Sequence, residues 1–521
     1  MSARTSAGDA ARVGRAGPGV PLGRRYDDLA AADPDRPAVT FLGETLTRRE
    51  VAQRSGMLAR LLLENGVSQD ALVTIGLPNS TRFVLATLAT WKAGATPQLV
   101  SCRLPDAERD QILALADPAL VIEDSTVLPG LATTFDGTGR TREPPFVPQP
   151  ASISWKAPTS GGSTGTPKLI VDGRPAVAAT TDRLATLLRL GEGDTVLITG
   201  PLHHNAVYMA MATAVMQGAH VVVMAKFDAA EALRLVERHR VTWMYAVPTM
   251  MHRIWRLDRE ARDAFDVADL RTVYHFGAPC APWLKREWIH WLGADAIWEL
   301  YAGTEAQAAT RIGGREWLER PGSVGRVISG NIKIISESGE TAMPGEVGEV
   351  VMKPDAEGGS RYRYVGAVAR DRDGWESLGD MGSMDEEGYL YLADRQTDMI
   401  LSGGANIYPA EVEAALDLHP AVSSSCVIGL PDEDLGNRVH AIVELDGPLE
   451  EDELRRFLSA RLVRYKIPRT FERVSEPLRD DAGKVRRSAL RHARLEGSQL
   501  TTPQPGAVDE GQRDVRSTDT G

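Results

Sequence analysis

The stretch TSGGSTGTPK, residues 159–168, does most to narrow the fold and its ligand. Its glycines let backbone N–H groups converge on an anion without Cβ atoms in the way, and its lysine and hydroxyl groups add donors for phosphate oxygens. It is not a Walker A loop, which has Gly directly before its Lys and Ser or Thr after it, because Pro167 precedes Lys168 and Leu169 follows. The stretch therefore predicts a polyphosphate-binding loop, with an ordinary Gly/Ser linker as the alternative.

Around this loop, short apolar runs alternate with helical patterns. One of these helices begins at Asp228, with Glu231 three residues on as a capping box. Strands that are buried on both faces and joined by helices are typical of a doubly wound, mostly parallel sheet, so we predict an α/β fold. The runs that we expect to be strands are LVTIGLP (72–78), DTVLITG (194–200), HVVVM (220–224) and VTWMYAVP (241–248).

The sequence changes in texture after residue 394. Strands near SSCVIGL and VHAIVEL and a helix at 451–464 predict a small α+β domain, and a charged, polar connection predicts that it moves. The predicted organisation is a disordered tail at 1–24, a large α/β domain at 25–394, a small mobile α+β domain at 395–494 and a disordered tail at 495–521.

Composition excludes several classes of protein. The 521 residues carry 71 acidic and 59 basic side chains, a net charge of -12, which argues against a nucleic-acid partner. Cys102, Cys280 and Cys426 form no CxxC pair, so they indicate a reducing cytoplasm without a disulfide framework or a thiolate metal site. No apolar run is long enough for a membrane span or an export signal.

Further motifs follow residues 159–168 in a fixed order. Together they resemble the superfamily of adenylate-forming enzymes, which includes acyl-CoA synthetases, peptide-synthetase adenylation domains and luciferases, over residues 25 to 494 or so. The resemblance implies that 25–394 and 395–494 are the large and small AMP-binding domains of this fold. The motifs are PLHHN (201–205), GAP (277–279), YAGTE (301–305), RPGSVGR (320–326), GWESLGD (374–380), DRQTDMILSGGANIYPAEVE (394–413) and PLRDDAGKVRR (477–487).

The resemblance implies ATP, Mg²⁺ and coenzyme A as cofactors, and it gives the motif residues their roles. Glu305 binds Mg²⁺, Thr304 bonds the α-phosphate, and Lys484 bridges the α-phosphate and the carboxylate of the acid. Bringing two anions together requires such neutralisation. The phosphate-loop residues expected at the leaving pyrophosphate are Thr159, Ser160, Gly161, Gly162, Ser163, Thr164, Gly165 and Lys168.

The same resemblance implies sites for adenosine and CoA. Tyr301 stacks on adenine, Asp380 accepts bonds from the ribose hydroxyls, and Arg395 contacts ribose or phosphate. His204 gates or shapes the acyl site, although a packed core histidine is an equal alternative. In relatives the small domain pivots at the position of Thr397, where many carry Asp or Lys. The remaining expected contacts are Gly277, Ala278, Pro279, Ala302 and Gly303 for the nucleotide and Gly403 and Gly404 for pantetheine.

The substrate is the least determined part of the prediction. Amino-acid-activating relatives carry Phe-Asp where this chain has His203-His204, and a buried ammonium without that acid would be costly, so amino acids are disfavoured. No carrier domain is expected in the 27 residues after 494, which favours CoA as acceptor. The wording of segments such as RYRYVG resembles bacterial bile-acid-type CoA ligases and predicts a bulky alicyclic, steroid- or terpenoid-like carboxylic acid.

We therefore predict a cytoplasmic acyl-CoA ligase of secondary metabolism, with a carboxylic acid and CoA as its partners. A homodimer is a further assembly to be tested. Departures from the family pattern at Ala302, Val327 and Ser383 remove no charged catalytic group. Three alternatives stay open: a ligase specialised to thioesterification of a supplied acyl-adenylate, a non-catalytic nucleotide-binding protein of the same fold, and a luciferase-like oxygenase.

Overall fold

The computed structural model describes residues 19–124, 146–161, 167–355, 362–368, 371–395, 398–480 and 483–499. Of the predicted disordered tails, residues 1–18 and 500–521 lie outside these ranges. The described residues next to these tails are helical: one helix begins at Leu22, before the predicted boundary at 24, and another continues to Gln499, beyond the predicted boundary at 495.

The chain divides into two units. The first runs to Thr397 and includes Arg479–Lys484, and the second comprises Asp398–Leu478 and the residues from Val485 onward. The described residues of this segment, Arg479, Asp480, Gly483 and Lys484, thus pack with the first unit although they follow most of the second in sequence.

The strands of the first unit form two sheets. In chain order they are β1 (Pro37–Phe41), β2 (Glu44–Thr47), β3 (Leu72–Ile75), β4 (Thr96–Leu99), β5 (Leu120–Ile122), β6 (Ala157–Gly161), β7 (Pro167–Asp172), β8 (Thr195–Ile198), β9 (His220–Val223), β10 (Trp243–Ala246), β11 (Thr272–His275), β12 (Ile297–Ala302), β13 (Ala309–Gly313), β14 (Ser323–Ser329), β15 (Asn331–Ile335), β16 (Gly348–Lys353), β17 (Tyr362–Val365), β18 (Asp371–Arg372), β19 (Trp375–Met384) and β20 (Leu390–Arg395).

The larger sheet runs in the order β15-β16-β19-β20-β14-β13-β12-β11-β10-β8-β9-β1-β2, with β18 paired to β19. Strands β1 and β8 to β12 pair in parallel, as predicted, whereas β12 to β16 and β19 to β20 extend the sheet by antiparallel pairs. The smaller sheet runs β17-β7-β6-β4-β3-β5, parallel from β6 to β5 and antiparallel at β7 and β17. The α/β class is confirmed.

Helices cover the sheets and begin at recognisable caps. Thr47 and Glu50 form a capping box at the second helix, and Asp228 accepts a bond from the backbone N–H of Glu231, as its sequence position predicts. The helices of the first unit are α1 (Leu22–Ala32), α2 (Arg48–Glu64), α3 (Thr81–Lys92), α4 (Asp106–Ala116), α5 (Ala178–Leu188), α6 (Asn205–Met216), α7 (Ala229–His239), α8 (Pro248–Trp255), α9 (Arg259–Asp263), α10 (Pro282–Leu292) and α11 (Gly314–Glu319).

The main core lies between the two sheets. Helix α3 contacts β3 and β4 of the smaller sheet and β1 of the larger one, and all its residues from Phe83 to Lys92 are buried. Trp91, Trp155 and Tyr208 pack there with ring centroids 6.0–6.5 Å apart. Burial of each large apolar side chain contributes about 1.5–3 kcal/mol. The carboxyl ends of the central parallel strands are thereby held in place, and the candidate site lies there.

The second unit is an α+β layer. Its elements are the hairpin β21 (Ile400–Ser402) and β22 (Ala405–Ile407), the sheet β23 (Val422–Asp432), β24 (Gly436–Leu445) and β25 (Thr470–Val474), and the helices α12 (Pro409–Leu416), α13 (Glu451–Ser459) and α14 (Arg487–Gln499).

Charged side chains fix the last helix of the second unit. Arg487 donates to Asp398 Oδ2 at 2.7 Å and to Glu413 Oε1 at 2.6 Å, which ties α14 to the start of the unit. Helix α13 ends at Ser459 and not at 464 as predicted, because Val463 is extended and residues 464–466 form a separate 3₁₀ turn. Across the described ranges, no helix has the length and apolar character needed to cross a membrane.

Candidate active site

The predicted phosphate loop connects the two strands of an antiparallel hairpin. Ser160 pairs with Lys168 and Gly161 with Pro167 across β6 and β7. The Thr159 hydroxyl donates to the carbonyl of Leu99 at 2.9 Å, so it anchors the hairpin to β4. The loop residues Gly162, Ser163, Thr164 and Gly165 and the Ser160 side chain lie outside the described part of the chain, and their phosphate contacts stay predictions.

Lys168 meets Glu305, 137 residues further along the chain. Its Nζ lies 3.4 Å from Glu305 Oε1, and the two side chains are 23% and 8% exposed. Tyr364 of β17 donates its hydroxyl to the same Oε1 at 2.5 Å, and the Lys168 Nζ sits 3.9 Å from the centre of the tyrosine ring. A buried carboxylate, a lysine and a phenol therefore converge beside the phosphate hairpin.

The YAGTE motif turns sharply after β12. Tyr301 and Ala302 end the strand, and Gly303 allows the turn to approach β19, since a Cβ there would lie 2.4 Å from Leu378 Cδ1. Thr304 lies half-buried in the turn. Ala306 has φ +57°, a left-handed conformation that costs a non-glycine residue of order 1–3 kcal/mol. This strained turn directs the Glu305 carboxylate towards Lys168.

Tyr301 bonds to the predicted ribose-binding residue. Its hydroxyl donates to Asp380 Oδ2 at 2.6 Å, and Asp380 pairs with Arg395 in the register of β19 and β20, although the Arg395 side chain is outside the described set. Gly277, with φ +92° and open space at its Cβ position, follows β11, the parallel neighbour of β12. Ala278 and Pro279 continue that turn, so the predicted adenosine residues share one sheet edge.

His204 and Lys484 are electrostatic neighbours in the first unit. His204 precedes helix α6, and its ring centroid lies 4.3 Å from that of His203. Burial and the Lys484 charge lower the pKa of His204 to about 4, so the imidazole is neutral at pH 7. Lys484 ends a short turn in which its N–H donates to Asp480 Oδ1 at 2.9 Å. A Cβ at Gly483, which has φ +74°, would lie 2.5 Å from Thr249 Oγ1.

A buried ion network lies behind the phosphate hairpin. Lys156 is 1% exposed; its Nζ donates to Asn205 Oδ1 at 2.7 Å and lies 3.4 Å from Asp172 Oδ2. Arg174 donates twice to the Asp172 carboxylate, at 2.8 and 2.6 Å. Burial lowers the pKa of Lys156 to about 8, against the opposing effect of Asp172. Because Asn205 follows His204, this network ties the hairpin to the histidine motif.

The predicted pantetheine glycines belong to the second unit. Gly403 and Gly404 form the turn between β21 and β22, with φ +57° and +79°, which explains why glycine suits both positions. A Cβ at Gly403 would lie 3.1 Å from Leu435. The predicted pivot, Thr397, lies outside the described residues.

Lys156 and Tyr364 are site residues that the sequence reasoning missed. A lysine inside the apolar run ISWKAP is a signal for a buried charge with a partner, and tyrosines at 362 and 364 predict a shared face of a strand. Among the described residues, no group of three or more His, Cys, Asp or Glu side chains could hold a metal ion. A cation at Glu305 would therefore need oxygen ligands from phosphate or water as well.

Known proteins share this architecture. The family model described as AMP-binding enzyme matches residues 26–356, and the AMP-binding enzyme C-terminal domain matches 411–484. The chain is 31% identical to a 2-succinylbenzoate–CoA ligase of Bacillus licheniformis, over 88% of this chain and 98% of the relative. It is 30% identical to a feruloyl-CoA synthase of an Amycolatopsis species, over 89% and 96%.

A solved structure is also similar. It is the O-succinylbenzoate coenzyme A synthetase of Bacillus subtilis in complex with ATP and magnesium ion, with a TM-score of 0.75 and 27% identity over 89% of this chain and 98% of that one.

Proposed function

The chain belongs to the family of AMP-binding enzymes, and from that premise we propose that it activates a carboxylic acid with ATP and transfers the acyl group to CoA. It is an AMP-forming acid–thiol ligase that uses ATP, Mg²⁺ and CoA. A carboxylate oxygen attacks the α-phosphorus of ATP and pyrophosphate leaves; the CoA thiol then attacks the acyl carbon, AMP leaves, and the thiol proton passes to water.

One observation supports this proposal most directly. Three motifs that are far apart in sequence converge in the first unit: Lys168 lies 3.4 Å from Glu305, and Tyr301 of the same YAGTE motif donates to Asp380 at 2.6 Å. The order of these groups follows that of the parts of ATP: a lysine for the pyrophosphate, a carboxylate for the cation and a pair of side chains for adenosine.

The residues fit the charge problem of the first step. The lone buried carboxylate of Glu305 suits Mg²⁺, a hard cation that prefers oxygen ligands and keeps several from phosphate and water. When bound, Mg²⁺ would supply charge neutralisation at the phosphates. Lys168 binds the leaving pyrophosphate, Thr304 donates to the α-phosphate, and Lys484 bridges that phosphate and the attacking carboxylate. His204, neutral beside Lys484, shapes the acyl site without repelling that lysine.

For the acid itself we propose a bulky alicyclic, steroid- or terpenoid-like carboxylic acid, on the resemblance of segments such as RYRYVG. The similar proteins are named for 2-succinylbenzoate and ferulate, so aromatic acids are the second candidate class. We propose a cytoplasmic site of action, because the reaction consumes ATP and CoA, and a homodimer as the assembly to be examined by light scattering.

The assay is pyrophosphate exchange. Purified protein with ATP, Mg²⁺ and a panel of alicyclic, steroid, terpenoid and aromatic acids should exchange labelled pyrophosphate into ATP, and CoA should then yield the acyl-CoA by mass spectrometry. If none of the acids supports pyrophosphate exchange, but a presynthesised acyl-adenylate yields the CoA ester, the thioesterification-only alternative is selected. Binding of ATP or AMP in calorimetry, with neither exchange nor ester formation, would select the non-catalytic nucleotide-binding protein. Consumption of O₂ with an acyl-adenylate would select an oxygenase.

A further inference from the structure

Tyr364 stands between two opposite charges that the first step needs apart. Strand β17 pairs with β7 so that Tyr364 faces Ile170, which places it diagonally beside Lys168 on one face of the sheet. Its hydroxyl bonds Glu305 Oε1 at 2.5 Å, and its ring lies 3.9 Å under the Lys168 ammonium. The tyrosine thus contacts the anion through its hydroxyl and the cation through its ring.

The lysine and the carboxylate form a long ion pair. Lys168 Nζ and Glu305 Oε1 are 3.4 Å apart, whereas a charge-assisted N–H···O bond is about 2.7–2.9 Å long. A tight ion pair would have to break before Glu305 could bind a cation and Lys168 a phosphate. The hydrogen bond from Tyr364 stabilises the Glu305 carboxylate, and the cation–π contact stabilises the Lys168 ammonium. Neither charge therefore depends on the ion pair alone.

Tyr362 on the same strand is coupled to Tyr364. Its hydroxyl bonds Glu376, which also accepts a bond from Gln307 at 2.7 Å. The two tyrosine rings pack edge to face, 4.8 Å apart. Strand β17 therefore carries two coupled phenols: Tyr364 contacts Glu305, and Tyr362 contacts Glu376 and the Tyr364 hydroxyl.

We propose that Tyr364 is a positioning residue for the metal step: it holds Glu305 in the orientation that receives Mg²⁺ and, by contacting both charged groups, keeps the ion pair between Lys168 and that carboxylate long. The inference rests on the proposed function, because it takes Glu305 as the carboxylate that binds the cation. It assigns to β17 a role in ATP binding that no motif of the chain carries.

The test measures metal binding without turnover. Mn²⁺ takes the oxygen ligands of Mg²⁺ and its free form is counted by electron paramagnetic resonance, so the protein is titrated with Mn²⁺ at saturating ATP and without an acid. Tyr364→Phe, which removes the hydroxyl and keeps the ring, should weaken Mn²⁺ binding by about tenfold, the worth of one hydrogen bond to a charged group. Tyr389→Phe, the matched control, loses a bond to Glu316 outside the site and should stay within twofold. AMP affinity without metal should stay within twofold in both.

Each other outcome is decisive. Mn²⁺ binding by Tyr364→Phe within twofold of the wild type, or an equal loss of metal-free AMP binding, overturns the inference, the latter because it reveals a purely structural role. Glu305→Gln separates the two proposals: if it leaves Mn²⁺ affinity unchanged, the role of Glu305 itself is wrong. If Glu305→Gln weakens binding, Tyr364→Phe in that background should add no further loss.

Discussion

Asp172→Asn should destabilise the first unit by an amount that grows as the pH falls below 8. The substitution leaves the buried Lys156 ammonium, 3.4 Å from the altered group, without its counter-charge. Two unit charges at that distance interact by about 5 kcal/mol at an effective dielectric constant of about 20. Lysine can avoid this cost by losing its proton. Since the pKa of Lys156 is about 8, deprotonation at pH 7 costs only about 1 kcal/mol.

Deprotonation of Lys156 costs less than keeping its charge unpaired, so it determines how much stability the variant loses and how that loss depends on pH. Below pH 8 the wild-type lysine is protonated in both the folded and the unfolded chain and adds no pH dependence. In the variant the folded lysine is neutral while the unfolded one keeps its proton, so stability rises with pH by about 1.4 kcal/mol per unit. The pH-dependent loss is then near zero at pH 8, about 1 kcal/mol at pH 7 and about 3 kcal/mol at pH 6. Arg174 loses its bonds to the carboxylate too, which adds about 1 kcal/mol at every pH.

Urea unfolding followed by tryptophan fluorescence measures this loss. All ten tryptophans lie between residues 91 and 375, so the signal reports the first unit alone. The matched control is Asp295→Asn, whose carboxylate pairs with Arg315 on the surface with both side chains more than 70% exposed; its effect should be small and the same at pH 6 and pH 8. A difference between wild type and Asp172→Asn that is the same at pH 6 and pH 8 would refute the reasoning.

Three further substitutions test the site. Lys484→Ala should slow pyrophosphate exchange by about a hundredfold or more while sparing thioester formation from a supplied acyl-adenylate, because the cation serves only the first step; equal losses would contradict this division. Tyr301→Phe should weaken AMP binding in calorimetry by about tenfold, because the hydrogen bond to the Asp380 carboxylate is lost. Tyr389→Phe, which loses a 2.7 Å hydrogen bond to Glu316 outside the site, should leave AMP binding unchanged. Gly483→Ala should slow exchange, since its Cβ meets Thr249, whereas Gly339→Ala, with φ +86° and open space, carries the backbone strain alone and should leave exchange unchanged.

The parallel part of the fold was readable from the sequence, and the antiparallel part was not. Strands such as HVVVM are buried on both faces, and a strand of this kind shows in the sequence as a continuous apolar run. Strand β19, by contrast, is half-buried along nearly all its length, so GWESLGD shows no hydrophobic alternation and could be read only as a motif. The extension of the larger sheet from β13 to β20 follows from pairing between distant segments, which no local pattern encodes.

The candidate site divides in the same way. Four site residues could be predicted because each stands in a motif: Lys168, Glu305, Tyr301 and Asp380. The structure brings them together in two pairs, Lys168 with Glu305 and Tyr301 with Asp380. Lys156 could not be predicted, because a lysine in an apolar strand has no visible partner until Asp172 and Asn205 are placed beside it.

Gly483 and Lys484 pack with the first unit although the chain reaches them only after most of the second, which bears on recombination between related enzymes. A crossover at 397 between two related ligases would bring Gly483 from one parent and Thr249 from the other, and these two positions lie almost in contact. Hybrids that exchange the whole carboxyl-terminal part should therefore lose the first reaction more readily than hybrids that keep residues 479–484 from the parent of Thr249. Lys484, the proposed catalytic lysine, thus belongs structurally to the first unit although the chain reaches it after most of the second.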